Sequence, residues 1–238
     1  MTAGLTLLPA VDVAGGRASQ VIGQGTAEPY AVATGWVQQG ARWVHLVDLD
    51  LAFGRGDNSA LLADLVAAVT VPVQLSGGIR DEASLRVALT TGAERVTLSS
   101  AALRDTGWVR QVVRAHGGRV AVGVDVHGSE VVARGSGIRL GPLEDVLAGL
   151  AGSGARTFVV ADADRDGTRH GVDVGLFRRV AEQVEGAVIA SGGVASLEDL
   201  RRLATLSAVG VRGVVLGAAL YHGAFTLSEA LEVAGSTS

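Results

Sequence analysis

Ser76-Gly77-Gly78-Ile79-Arg80 and Ser191-Gly192-Gly193-Val194 repeat one pattern at an interval of 115 residues (191 − 76). Each follows an apolar run, Val71 to Leu75 or Ala187 to Ala190, and each leads into a helical pattern that opens Ser84-Leu85 or Ser196-Leu197. Further on, each is followed by a second apolar run ending in small residues and Ala-Leu, Val96 to Leu103 and Val214 to Leu220. Outward from these stretches the echo continues. Asp12-Val13-Ala14-Gly15 returns as Asp125-Val126-His127-Gly128, 113 residues on (125 − 12), and Val47-Asp48-Leu49-Asp50 as Ala161-Asp162-Ala163-Asp164, 114 on (161 − 47). A near-constant offset at four strand ends makes the chain two tandem half-units, about 1–117 and 118–238. The strands of each half need a partner sheet, so one domain over 1–238 is expected.

Between the echoes, apolar runs alternate with helical patterns. Strands are expected at 5–11, 43–47, 71–75, 95–98, 119–124, 157–160, 187–190 and 213–216. Helices are expected at 30–39, 59–69, 82–91, 106–116, 142–151, 174–183, 196–206 and 226–234. The strand runs are continuously apolar, as when both faces of a parallel sheet are buried. Eight strands each followed by a helix read as an α/β protein of the (β/α)8 TIM-barrel class, with a two-fold half-barrel repeat. An open doubly wound sheet predicts no half-repeat. It also wants a G-x-G-x-x-G turn after the first strand, which the Asp12 turn lacks.

Composition narrows the chemistry. The chain has 238 residues, 48% of them hydrophobic, with 34 glycines and a net charge of −4. That balance offers no basic surface for nucleic acid or an anionic membrane. There is no Cys, which excludes disulfides, thiolate zinc sites and cysteine nucleophiles. All 20 basic residues are Arg, which excludes Schiff-base aldolases and P-loop enzymes, both of which need an amine. The start of the chain has no secretory pattern and no apolar run reaches membrane-spanning length, so a cytoplasmic enzyme is expected.

Barrel chemistry sits at the C-terminal strand ends. Small residues there, entering a helix, expose backbone N–H groups that suit a phosphate. Gly192-Gly193 with Gly217-Ala218 form one such site, and Gly77-Gly78 with Ser99-Ser100 form its copy in the other half. Glycines of this kind also make plain tight turns. Their matched occurrence favours two anion sites and a substrate with a phosphate at each end. Carboxylates occupy the other strand ends. Asp12 and Asp125 take equivalent central positions, and Asp166-Gly167-Thr168 follows the sixth strand, placed for acid–base work between the phosphates. Asp48 and Asp50 read as loop caps with Arg partners. His45 reads as a core histidine, while His127 and His170 lie on loops. No clustered ligand set resembles a metal site.

Leu8-Pro9-Ala10-Val11-Asp12, His45 to Asp50, Leu75 to Arg80, Asp166-Gly167-Thr168 and Ala190 to Val194 together resemble the ProFAR isomerase family of histidine biosynthesis. Phe53 to Asn58, and Ala219-Leu220-Tyr221 through Phe225-Thr226-Leu227, are similar to its actinobacterial branch, which often also isomerises phosphoribosylanthranilate for tryptophan synthesis. The resemblance covers nearly the whole chain. It implies a cofactor-independent Amadori rearrangement of an N-linked phosphoribosyl substrate, with no obligate protein partner. By that match Asp166 is the general acid, Asp12 the base at C2′ and Asp125 a support, while Arg134, Ser76 and Thr168 touch the substrate. The related imidazole-glycerol-phosphate cyclases carry a Lys near the first strand, absent here. A non-catalytic phosphate-binding barrel is opposed by the intact Asp12 and Asp166. Three departures stand out. The branch's Arg near Ser19-Gln20 is absent, in a loop with an extra residue. Its Arg-Gly-Trp reads Arg134-Gly135-Ser136, and its Gly-Thr on strand four reads Ser99-Ser100. These departures lead to the expectation that the enzyme has narrowed toward phosphoribosylanthranilate, with the fully bifunctional isomerase as the alternative.

Overall fold

The structure is a computed structural model. It describes residues 4–19, 28–168 and 170–235. Eight parallel strands form the barrel: β1 (Thr6–Ala14), β2 (Val44–Asp48), β3 (Val73–Ser76), β4 (Arg95–Leu98), β5 (Val120–His127), β6 (Thr157–Asp162), β7 (Ala187–Ser191) and β8 (Val211–Leu216). Their order around the sheet is β4-β3-β2-β1-β8-β7-β6-β5. Pairing of Val96, Thr97 and Leu98 with Val120, Ala121 and Val122 closes β4 onto β5. Helices follow the strands at Pro29–Gln38, Ser59–Ala68, Glu82–Thr90, Thr106–His116, Leu143–Leu150, Val174–Gln183, Leu197–Ala204 and Leu227–Gly235. None of the described helices is long and apolar enough to cross a membrane.

The period-two alternation of a strand divides two cores. On β1, Leu7, Val11 and Val13 face outward into the large layer between strands and helices. Leu8 and Ala10 face inward with Ala121, Val159, Ile189 and Val215, beside Trp43, to plug the barrel. Asp12 continues that inner face at the open end. The helices after β3 and β7 begin with matched capping boxes, Asp81 with Ser84 and Ser196 with Asp199. Each cap contributes about 1 kcal/mol. The expected Ser196 cap is thus present, whereas Ser84 is the third helical residue of a box whose cap is Asp81.

β1 and β5 run past their apolar runs, so Asp12 and Asp125 lie inside strands rather than just after them. In each case the chain turns back antiparallel on itself. Arg17–Ala18 pairs with Val13 and Ala14, and Glu130 and Val131 pair with His127 and Val126. In the second half this return grows into a hairpin, Glu130–Ala133 with Ile138–Pro142. Pro142 therefore ends a strand and caps the next helix instead of opening it.

Candidate active site

A cavity of about 380 Å³ opens at the C-terminal mouth of the barrel. Asp12 on β1, Asp125 on β5 and Asp166 in the turn after β6 all line it. Arg134, at the tip of the hairpin, reaches back into the same space. Its Nη2 donates to Asp166 Oδ2, and its Nη1 lies 3.8 Å from Asp125 Oδ1. Burial works against the guanidinium charge, but Asp166, then Asp125 and Asp12, outweigh it and hold the pKa of Arg134 above its ordinary value.

Asp125 is held from behind. Ser100, fully buried, donates its hydroxyl to Asp125 Oδ2 and accepts from the Asp125 N–H at 2.8 Å. Burial pushes the Asp125 carboxyl up from the usual range, against the opposing pull of Ser100 and Arg134. Tyr221, outside the cavity lining, is tied to β1. Its hydroxyl donates to the Ala10 carbonyl at 2.8 Å, and burial followed by the Asp12 charge raises its pKa.

The twin glycine turns face each other across the cavity. Gly77 and Gly78 have φ of +109° and +68°, Gly192 and Gly193 of +92° and +83°. Their tightness has a packing cause as well. A Cβ on Gly77 would stand 2.3 Å from the Asp48 carbonyl oxygen, and one on Gly192 would stand 2.8 Å from that of Asp162. Asp48 and Asp162 are themselves equivalent in the repeat. The glycines thus bring the turn after β3 or β7 against the end of the preceding strand, and leave only backbone facing the cavity. Gly217 and Ala218 line it beside the second turn. Ser99 lines it beside the first, although its N–H and hydroxyl are both given to the Ile79 carbonyl, at 2.7 and 3.2 Å.

Loops of neighbouring strands are tied in a matched way. Asp50, after β2, accepts from the Gly15 N–H at 2.6 Å, and Asp164, after β6, accepts from the Gly128 N–H at 2.7 Å. The Gly15 N–H first, then the Asn58 amide, hold the Asp50 carboxyl below its ordinary range. Asp48 caps the turn at Leu51 and accepts from Asn58, while Arg55 stands 3.8 Å from Asp50. His127 Nδ1 lies 2.6 Å from Asp164. His170 is exposed and lies outside the cavity lining.

Of the residues singled out from sequence, Asp12, Asp125, Asp166, Arg134, Ser76, Gly77, Gly78, Ser99, Gly192, Gly193, Gly217 and Ala218 share this one lining. Ser100 and Thr168 do not. Ser100 turns its side chain to Asp125, and the Thr168 hydroxyl closes its own turn on the Arg165 carbonyl at 2.7 Å. Ser136 likewise folds onto the Ala133 carbonyl, leaving Gly135 at the cavity wall. Gln20 lies outside the described residues. Among the polar and aromatic lining residues, His45, Phe53 and Thr97 carried no sequence assignment to the cavity, and Arg80, though within the strand-end stretch Ser76 to Arg80, was given no role of its own. Arg80 alone had a readable signal, a cation two residues after the glycine pair.

Comparison with known proteins agrees with this geometry. Residues 6–226 match the family model described as histidine biosynthesis protein. A relative from Salinispora tropica is 52% identical over 234 residues, covering 95% of this chain and 97% of its own. One from Frankia casuarinae is 52% identical over 239 residues, covering 98% and 94%. One from Acidothermus cellulolyticus is 50% identical over 238 residues, covering 97% and 98%. All three carry the name 1-(5-phosphoribosyl)-5-((5-phosphoribosylamino)methylideneamino) imidazole-4-carboxamide isomerase, that is, ProFAR isomerase. A closed (β/α)8 barrel, its matched glycine turns and near-full-length likeness to these relatives lead to one conclusion: the chain belongs to the histidine-biosynthesis protein family, among the ProFAR isomerases, which are aldose–ketose isomerases.

Proposed function

We propose that this enzyme isomerises ProFAR itself, and that phosphoribosylanthranilate is a second substrate rather than the favoured one. The observation that carries this reading is the pair of glycine turns on one cavity with carboxylates between them. A substrate with a phosphate at each end matches it, and the relatives' name describes such a substrate. The narrowing toward phosphoribosylanthranilate expected from the three departures finds no support in the relatives. Phe53 offers one physical reason. It stands half exposed on the cavity rim with Arg55 5.0 Å over its ring, an aromatic surface in reach of a large substrate although Ser136 replaces a Trp. Arg134 favours the second substrate, because a guanidinium already engaged by carboxylates suits the carboxylate of anthranilate.

The chemistry needs one acid and one base. Asp166 gives a proton to the ribose ring oxygen as the C1′–O bond breaks, leaving a C1′ iminium. Asp12 takes the C2′ proton. The C2′–H pair becomes the C1′=C2′ bond and the iminium π pair returns to nitrogen, giving an enolamine. Asp12 then returns its proton to C1′ while the C2′ hydroxyl gives its own to Asp166, so both groups are restored and C2′ is a ketone. Asp166 must be protonated to begin, which requires Arg134 to leave it for an anionic group of the arriving substrate.

The test is steady-state turnover on ProFAR and on phosphoribosylanthranilate in parallel, with Asp12→Asn beside the wild type. Turnover of ProFAR that falls about 10²–10⁴-fold in Asp12→Asn is expected. Activity on the anthranilate substrate alone reinstates the narrowing. Near-normal turnover in Asp12→Asn refutes the assignment of the base.

A further inference from the structure

The cavity floor holds a buried histidine whose proton position follows from its neighbours. Arg95 lies on the Trp43 ring, 4.6 Å from its centroid, and its Nε–H donates to Gln74 Oε1 at 2.7 Å. A guanidinium can only donate, so the amide oxygen of Gln74 faces Arg95 and its NH2 faces the other way. There it meets His45 Nδ1 at 2.9 Å. An NH2 only donates, so Nδ1 is the bare acceptor and the imidazole carries its proton on Nε2. Two links starting from an obligate donor thus set the tautomer.

Burial first, then the Arg95 charge, lower the His45 pKa to about 4, against the raising effect of Asp166, so the ring stays neutral at ordinary pH. His45 is 5% exposed and lines the cavity, and among the described residues its Nε2 makes no hydrogen bond. Two further polar atoms on the adjoining strands have no partner either, the buried hydroxyls Ser76 Oγ and Thr97 Oγ1, and both residues line the same cavity. A floor with one fixed donor and two orphaned hydroxyls fits sugar oxygens rather than an apolar ring. Its place is also defined. Register pairs Ala10 with His45 and Asp12 with Val47, so His45 sits one side-chain layer beneath Asp12 on the adjacent strand.

We infer that His45 is a further catalytic residue, a neutral hydrogen-bond donor whose Nε2–H holds the C2′ oxygen of the substrate as it turns from hydroxyl to ketone, with Gln74 and Arg95 as its positioning residues. The inference rests on the isomerase reading above. His45 keeps its proton throughout, and the transfers remain those of Asp12 and Asp166. A neutral imidazole suits this task because an imidazolium beside the enolamine would give its proton up, whereas a fixed N–H strengthens its bond as the oxygen gains carbonyl character.

The test pairs variants with a spectroscopic reading. His45→Asn keeps a polar group at the Nδ1 position and removes the donor at Nε2, whereas His45→Gln restores an N–H near Nε2. We expect His45→Asn to lose about 10²-fold in kcat with a much smaller change in KM. His45→Gln should recover about tenfold of that loss. In the wild-type protein without substrate, nitrogen NMR of His45 should show the Nε2–H tautomer across neutral pH. Gln74→Glu, whose carboxylate accepts from both neighbours, should move the proton to Nδ1. A wild-type kcat in His45→Asn, equal losses in folded His45→Asn and His45→Gln, or an Nδ1–H ring in the wild type each overturn the inference. Wild-type protein inactive on both phosphoribosyl substrates would refute the isomerase reading instead, and the C2′ role with it. The tautomer, read without substrate, tells the two failures apart.

Discussion

Ser100→Ala tests how the carboxylate on β5 is kept. The fully buried wild-type hydroxyl is donated to Asp125 Oδ2, with a longer 3.5 Å contact to the Gly123 carbonyl, and accepts from the Asp125 N–H. A hydrogen bond to a charged group contributes about 1.5–3 kcal/mol, and a buried N–H left without a partner costs about 1–3 kcal/mol. Taken together and allowing some relaxation, the substitution should destabilise the fold by about 3 kcal/mol near neutral pH. For a chain of this length that lowers Tm by about 6–12 °C. The loss should also depend on pH in a fixed direction. The Asp125 pKa is already raised, chiefly by burial, and removing a donor from the ionised form raises it further. The cost is therefore full above that raised pKa and shrinks as pH falls through it, because a protonated carboxyl forfeits only a neutral hydrogen bond, about half as strong. Urea unfolding of both proteins at about pH 7.5 and about pH 4.5 measures it. A loss below about 1 kcal/mol at neutral pH, or one that grows on acidification, refutes the reasoning.

Two further outcomes follow from the same geometry. Gly77→Ala and Gly192→Ala both place a Cβ into a carbonyl oxygen at positive φ, at 2.3 and 2.8 Å, so thermal melting should show each costing more than about 2 kcal/mol, Gly77→Ala the more. Asp125→Asn should melt at or above the wild type near neutral pH, since burial disfavours the charged form it removes. The difference should narrow as pH falls through the raised pKa and Asp125 itself becomes neutral; a variant that melts well below the wild type at neutral pH would contradict this.

The fold was legible because burial on both faces writes the barrel strands as mainly apolar runs, broken at inward positions such as His45, Gln74 and Thr97, and because the two halves repeat. What escaped was written differently. In Glu130–Ala133 buried residues alternate with partly exposed ones, as expected of a hairpin packed on one side, and no continuous apolar run marks it. The ends of β1 and β5 were set short because a carboxylate, Asp12 or Asp125, breaks the apolar run there, although Asp12, Val13, Asp125 and Val126 still pair with a barrel neighbour and only Ala14 and His127 are held by the local return alone. At the site, the strand-end rule gathered most of the lining. It failed at Ser100 and Thr168, where one residue of progress round a turn sends a side chain behind the wall. His45 shows a subtler limit. Its burial was readable, but the inner face of β2 passes from plug to cavity within one layer, and sequence does not say on which side of that boundary a residue falls.

The ties Gly15–Asp50 and Gly128–Asp164 run between neighbouring loops rather than along one. The second joins the base of the hairpin that carries Arg134 to the turn that carries Asp166. A change of specificity made in the hairpin is therefore conditional on the turn beside it, and the same substitution will have different effects on different backgrounds at Asp164. Substitutions at the two members of such a tied pair should therefore be non-additive. Swapping one loop alone between relatives should transfer less specificity than swapping the tied pair.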